Sequence, residues 1–372
     1  MVEILESGRL VFAIKGSLDD TNIHRSKLEQ LTRQLRLLGK DTSIQIIAVE
    51  EGSIKIILEG SKEALQRIQE LVDSGELTEV KNLPIEYARP LDDKETHRTE
   101  AKLSLVEAIR NRQIFSLTEA DLKGTNLIQA NFKDTNFTRA NCTQANLTKA
   151  DFREVDCTGA NFRGANLTSA NFRDTNLIQA NLVGANLTQA NLVGANLTDA
   201  KLVGANLIQA NLTQANLEGV NLTGADLAQA NLTGANLRWS KLIGNFTQAN
   251  LKEANLTDAD LRGDFARANF TQADLTKVYL TGDLIEADLT QANLTQANIE
   301  GANFAGANLT KANLKWANLK GANLMEANLT NTNLKLTKVR NTLFRNNTGI
   351  SNKEKIELIK RGAIFVDSSD DC

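Results

Sequence analysis

The side chains best suited to covalent or metal chemistry are few, and their spacing does not assemble them. His24 and His97 stand alone, and Cys142, Cys157 and Cys372 include no C-x-x-C pair, so neither a zinc centre nor a Cys–His nucleophile is encoded. There is no G-x-S-x-G, no G-x-x-x-x-G-K-[ST] and no H-E-x-x-H. Acidic pairs such as Asp258 and Asp260 recur, but a carboxylate that faces water keeps an ordinary pKa and serves poorly as a general acid. The chain is therefore expected to be no enzyme and to need no cofactor and no metal.

The elements that carry these residues explain the lack of a constellation. Asn, Ala, Leu and Thr dominate the last two thirds of the 372 residues, with an apolar residue at every fifth position, which marks a packed repeat rather than disorder. The first ten residues, MVEILESGRL, do not read as a leader, and no apolar run approaches a membrane span of ~18 residues. Together with unpaired cysteines this leads us to expect a soluble cytoplasmic protein. Residues 1–116 hold 17 basic and 20 acidic side chains, whereas residues 117–344 hold 20 of each, so the repeat is neutral.

Residues 1–83 read as a small α+β domain. RLVFAIKG is a strand, and Leu28, Leu31, Leu35 and Leu38 share one helical face before Gly39. SIQIIAVEEGSIKIILEG reads as a hairpin turning at Glu51-Gly52, and SKEALQRIQELVDSG as a helix N-capped by Ser61 with Leu65, Ile68 and Val72 inward. ELTEV closes the set, which gives βαββαβ, the order of a ferredoxin-like sandwich. Pro84 and Pro90 fall in a charged stretch assigned to a linker, 84–99. Residues 100–115 are expected to form a capping helix, 116–344 the repeat, and 345–372 a second capping helix, with Ser351 and Glu354 as a capping box, and a tail.

From Leu117 to Leu334 the apolar centres give 45 repeats, and the residue before the centre is Asn or Asp in 41 of them. Stretches such as ANLTQANLVGANLTDA resemble the pentapeptide-repeat family, with its A-(N/D)-L-x-x motif, over about 60% of the chain. The resemblance implies a right-handed four-sided parallel β-helix, five residues per side, with the central Leu or Phe and the small Ala inward. The tail resembles those of bacterial members of that family, and the N-terminal domain looks like small adaptor domains placed ahead of bacterial signalling modules.

The spacing tests this geometry on its own. Four repeats per coil stack residues 20 apart, so Phe132, Phe152 and Phe172 should form an internal ladder. Outside it, Lys133, Arg153 and Arg173 alternate with Asp134, Glu154 and Asp174 as a solvated salt-bridged face. Asn rows should form hydrogen-bonded ladders at the ~4.8 Å strand spacing, along a rod on the order of 50 Å. Three intervals of four residues end at Phe246, Phe265 and Leu284, at one corner of successive coils. Ten of eleven coils have Gly at that corner, from which we expect a tighter, positive-φ turn than at the other three corners. At the shortened corners Gly replaces the inward Ala, and Phe246 and Phe265 fill the space.

The function expected is that of a protein-interaction scaffold or adaptor. The resemblance also raises DNA mimicry against gyrase or topoisomerase, since relatives protect gyrase by presenting an acidic duplex-like rod. The neutral repeat counts against that, because a mimic must copy dense phosphate charge, and direct nucleic-acid or membrane binding is not expected. A protein partner is. The departures from Asn or Asp before the centre, apart from Ser116, are Lys201, Lys241 and Tyr279, all on the side that leads into the Gly corner. On that side Val183, Val203 and Ile243 point outward, and Trp239 and Trp316 adjoin it. Aromatic and aliphatic anchors flanked by cations suit a binding hot spot, so Lys201, Val203, Trp239, Lys241, Ile243 and Tyr279 form the candidate site. Restoring an Ala between Gly244 and Asn245 should lengthen one coil out of step with its neighbours and lower the melting temperature measurably; an unchanged melt would show a corner tolerant of length.

Overall fold

The computed structural model describes residues 116–366 throughout and, before them, 9–14, 35–38, 40, 45–50, 54–59, 61–74, 76–77, 79–80, 83–90 and 109. The chain separates into two compact units, one built on residues 1–113 and one that holds most of the repeat and everything after it.

In the first unit β1 (Arg9–Ile14), β2 (Gln45–Glu50), β3 (Ile54–Glu59), β4 (Glu79–Val80) and β5 (Leu83–Pro90) make a five-stranded antiparallel sheet in the order β2-β3-β1-β5-β4. β2 and β3 form the expected hairpin, with Glu50 opposite Lys55. Helix α1 (Lys62–Asp73) follows Ser61, whose hydroxyl accepts from the Ala64 N–H at 3.4 Å. Ala64, Leu65 and Ile68 are buried at helical spacing, and Val72 is half-buried. Of the earlier predicted helix, 35–38 is described; it is helical, with Leu35 buried.

The linker assignment and the closing strand both need correction. Of the assigned linker, residues 84–90 belong to β5, which runs antiparallel to β1 with Leu10 opposite Pro90, and 91–99 lie outside the described residues. ELTEV supplies only the two-residue β4 at the sheet edge. A four-stranded ferredoxin-like sheet ending on ELTEV is therefore not what forms. The reason lies in where the prolines fall. Pro90 ends the strand and Pro84 pairs only with the short edge strand, where a missing N–H costs little. The predicted capping helix, 100–115, lies outside the described residues apart from Ile109.

The second unit is a parallel β-helix whose sides begin, in order, with the centres Leu117, Leu122, Leu127 and Phe132. Each five-residue side contributes a bridging residue, a buried centre, two turn residues and a small buried residue. The bridging residues pair in parallel 20 apart, as in Asn186 with Asn206, and 19 apart across shortened coils, as in Asp226 with Asn245. The backbone closes on itself around this pattern. The Asn186 N–H donates back to Ala165 O at 2.9 Å, Leu187 N–H forward to Asn206 O at 2.6 Å, and Gln189 N–H forward to Ile208 O at 2.9 Å. The Ala190 N–H closes the turn onto Leu187 O at 2.9 Å. One amide in the side, that of Thr188, has no backbone acceptor and donates to Asn186 Oδ1 at 3.1 Å. Asn or Asp at most bridging positions accepts the corresponding amide in the same way, as Asn181 does from Val183 and Asn231 from Thr233.

The interior is as the spacing predicts. Phe132, Phe152 and Phe172 stack at 4.6 and 4.7 Å, with Phe137 and Phe162 edge-on to them. Where a hydroxyl replaces Ala it is satisfied inside: Thr175 donates to Phe152 O at 2.6 Å and Ser240 to Leu237 O at 2.5 Å. Asn side chains also ladder between coils, Asn191 donating to Asn171 Oδ1 at 3.2 Å and Asn236 to Asn216 Oδ1 at 3.0 Å. On the outside Arg173 meets Asp174 at 3.2 Å as expected, but Arg153 takes another partner. Arg153 holds Asp151 at 2.7 Å rather than Glu154, because these two flank one centre on the same side. That guanidinium keeps the Asp151 carboxyl below the usual range.

The Gly corner also needs correction. Positive φ is not peculiar to it: Gln189, Gln209 and Trp239 at other corners have φ of 58°, 58° and 56°, and Gln144 on the Gly column itself has 55°. Gly184 and Gly204 share that conformation, whereas Gly244, Gly263 and Gly282 at the shortened corners do not. There the requirement is closeness. A Cβ on Gly263 would lie 2.5 Å from Gly244 O, and the same column is tighter still at Gly244 and Gly282. Gly takes the register place of the inward Ala, the Asp264 N–H donating to Gly244 O at 2.9 Å as Asn245 does to Ala225 O at 3.0 Å. Phe246 and Phe265 stack at 4.8 Å beside it, and the flattened corner lengthens the bridges into the strands β6 (Lys241–Leu242), β7 (Asp260–Leu261) and β8 (Tyr279–Leu280).

The far end is covered. Helix α2 (Asn352–Lys360) starts at a reciprocal Ser351–Glu354 capping box and buries Leu358. The chain then adds β10 (Ile364–Phe365) in parallel to β9 (Leu343–Phe344), with Phe344 and Phe365 stacked at 4.8 Å. This pairing occupies a sheet edge that would otherwise template association. Gly263→Ala should destabilise by roughly 3 kcal/mol or more, as overpacking against backbone does. Gly204→Ala, whose Cβ meets nothing within 4 Å, should lose only about 1 kcal/mol for its left-handed conformation. Urea unfolding of the two variants checks the difference; equal losses would contradict it.

Candidate functional site

The β-helix turns irregular bridging residues into a column on one side. Parallel bridges run Asn181–Lys201–Asn221–Lys241 and on through Asp260 and Tyr279 to Asn298, Asn318 and Lys338. Lys201, Lys241 and Tyr279 thus share side 2, as the sequence predicts, and all three are exposed. Val203 follows Lys201 on the same side at 37% exposure, and Ile243 follows Lys241, half-buried. Trp239 is not on that side but on the corner before it, in one column with Trp316 and Leu336, all three exposed. Each Trp carries its own cation: Arg238 sits 4.3 Å over Trp239 and Lys315 4.0 Å over Trp316.

The structure adds residues that counting to Leu334 missed. The five-residue beat continues through buried Val339 and Phe344, and this places Lys338 and Arg340 on side 2. The signal was present as apolar residues at the right interval, but the Asn that flags a repeat is absent before both. Arg262 is also on this side, with its Nε and NH2 on the Asp260 carboxylate at 2.8 and 2.5 Å and its guanidinium 6.0 Å from the Tyr279 ring. Near the end Lys320 pairs with Glu300 at 2.9 Å, and that contact, with Asn318, lowers the Glu300 pKa.

Side 2 is electrostatically unlike the rest. Between residues 141 and 340 its outward positions carry seven basic and two acidic side chains, in a repeat with twenty of each. The two acids, Asp260 and Glu300, are each engaged by a cation of the same side. Lys201, Lys241 and Arg340 have no side-chain partner among the described residues, and Lys338 acts on Glu300 only through its field, the ion pair there being made by Lys320. Among the described residues no group of three or more His, Cys, Asp or Glu is placed to hold a metal. Nor is any described helix long and apolar enough to cross a membrane.

Eight copies of the family pattern described as Pentapeptide repeats match, spanning residues 116–282 and 287–346. The chain belongs to the pentapeptide-repeat family. Residues 25–90 match the TRADD-like N-terminal domain, and this replaces the ferredoxin-like assignment. Among solved pentapeptide-repeat structures, HetL from the cyanobacterium Nostoc sp. strain PCC 7120, described as involved in heterocyst differentiation regulation, is 28% identical. It aligns over 68% of this chain and 98% of its own, with a TM-score of 0.34. Rfr23 from the cyanobacterium Cyanothece 51142 is 31% identical over 36% of this chain and 90% of its own, with a TM-score of 0.17. A trypsin-treated form of QnrB1, a plasmid-mediated fluoroquinolone resistance protein, is 18% identical over 68% and 99%, with a TM-score of 0.23. The comparison with curated proteins found no match.

Two of the three thiols of this pentapeptide-repeat chain, those of Cys142 and Cys157, are packing groups. Cys142 and Cys157 occupy buried centres, and burial raises the Cys157 pKa well above its ordinary value. Both should resist iodoacetamide in the native protein and react in urea, read by peptide mass mapping; native labelling of either would contradict the packing.

Proposed function

We propose that the protein is a non-enzymatic scaffold of the cytoplasm. Its β-helix docks a partner protein along side 2, and its TRADD-like domain serves as an adaptor. The observation that carries this reading is the gathering on one side of Lys201, Lys241 and Tyr279, which replace the bridging Asn or Asp, with Val203 and Ile243 beside them and Trp239 on the adjoining corner. Regular positions are set by the fold itself, whereas these break its ladder, and stacked coils hold them at fixed spacing before any partner arrives, which lowers the entropic cost of association. A mimic of DNA would need the opposite sign on its binding side, and the cationic balance of side 2 opposes that reading.

The test is affinity capture from native cytosol with the full chain, followed by titration of the captured partner. Val203→Asn, Ile243→Asn and Tyr279→Asn combined should weaken its binding at least tenfold with the fold intact by circular dichroism. Equal binding by the triple variant would place the docking surface elsewhere.

A further inference from the structure

The identity of the irregular residues on side 2 points to the chemistry of what they meet. A bridging Asn normally accepts the amide two residues on, as Asn181 does from Val183 at 3.2 Å and Asn221 from Thr223 at 3.0 Å. Lys cannot accept. Where Lys stands at 201, 241 and 338, the amides of Val203, Ile243 and Arg340 find no acceptor among the described residues. Each replacement thus does two things in one place: it removes the acceptor of a backbone donor and adds an ammonium with no carboxylate within ion-pair distance among the described residues. Both changes favour the same kind of visitor, one that brings negative charge and acceptor oxygens.

The edge beside this column is bare, and outside the shortened corners at Gly244, Gly263 and Gly282 the fold does not require it to be. A Cβ on Gly184, Gly204, Gly301 or Gly321 would meet nothing within 4 Å. Gln, Lys and Trp take the same positive φ at other corners, so side chains here would be accommodated. Their absence leaves the backbone open along the flank of side 2. At its far end Lys320, Lys338, Arg340 and Arg361 line an open cavity of about 420 Å³. Val183, Val203 and Ile243 flank the first two lysines as aliphatic contacts, and these suit an acidic protein segment better than a phosphate backbone, whose interfaces are wetter and more uniformly charged.

We infer that side 2 is a docking track for an extended acidic segment of the partner, whose carboxylates are received by Lys201, Lys241 and Lys338 together with the freed amides beside them. This rests on the scaffold reading and gives its partner a chemistry. The spacing gives it a pattern. Lys201 and Lys241 are two coils apart, roughly 10 Å at the strand spacing, which an extended peptide covers in about three residues. Lys338 is five coils beyond Lys241, roughly 24 Å, or about seven residues further.

The test uses the full chain and a fluorescein-labelled 12-residue peptide with Glu at every third position among Leu and Ser, measured by fluorescence anisotropy at low and high salt. A Glu→Gln version and a 12-mer of deoxythymidine are the comparison probes. The variant Lys201→Asn, Lys241→Asn, Lys338→Asn restores the acceptor at each place and should melt no lower than the parent. It should bind the acidic peptide at least tenfold more weakly, while Lys133→Asn, Lys252→Asn, Lys311→Asn, the same charge change on other sides, stays within about threefold. Gly204→Gln with Gly321→Gln should also weaken binding by covering the edge. No salt-sensitive binding of the acidic peptide, equal losses in the two lysine triples, or tighter binding of the oligonucleotide would each overturn the proposal. If a captured partner binds the side 2 lysine triple as tightly as the parent, the acidic track fails while the scaffold reading stands; if the peptide binds but no partner protein is captured, the scaffold reading fails alone.

Discussion

One amide in five organises this molecule. In a coil with five residues to a side, four backbone N–H groups find carbonyls in their own turn or in the coils above and below, as around Leu187, and the fifth does not. A buried or half-buried donor left unmade costs on the order of 1–3 kcal/mol, and a rod made of dozens of sides repeats that cost at every one. The side chain of Asn or Asp three atoms from the bridging backbone is the right length to accept it, as Asn186 does from Thr188. The same carbonyl oxygen also takes the Thr188 hydroxyl at 2.7 Å, and elsewhere the Asn amide reaches the next coil. One residue type therefore satisfies the local turn and welds neighbouring coils.

That constraint gives the exceptions their meaning. A surface Lys or Tyr on an ordinary protein needs no account, but a bridging position that abandons Asn gives up a hydrogen bond the fold relies on. Side 2 does so at Lys201, Lys241, Tyr279 and Lys338, and at Tyr279 the backbone partly compensates, Thr281 donating to Leu261 O at 3.2 Å beside the flattened corner. The shortened corners are the second kind of exception. They keep every bridge in register by removing a residue, and they succeed because Gly244, Gly263 and Gly282 let one backbone lie against the next.

The two ends of the β-helix carry the cost that repetition creates, since a stack of parallel sides always leaves an unpaired edge. At the C-terminal end β10 pairs with β9, Asn341 donates to Gly362 O at 2.7 Å, and Arg361 reaches the Thr337 carbonyl and hydroxyl. The interior does the rest through shape. Stacked Phe rings between 4.6 and 4.8 Å apart match the coil spacing, so aromatic ladders form where the same side holds Phe in successive coils.

The beat of apolar centres, the Asn or Asp before each, the Phe column and the Ser351–Glu354 box were all legible in the sequence, because each depends on residues that sit a fixed number of bonds apart or one coil apart. What the chain alone could not decide depended on contacts with no such interval. Whether 83–90 was a linker or a strand turned on β1 lying ready to pair with it, more than seventy residues earlier. The reason for Gly at the shortened corners lay in a carbonyl of the neighbouring coil, not in its own φ, and Arg153 paired with Asp151, across the centre on the same side, rather than with Glu154. Lys338 and Arg340 joined the site only when buried Val339 and Phe344 were seen to carry the coil on beneath them, since the Asn that flags a repeat is absent before both centres.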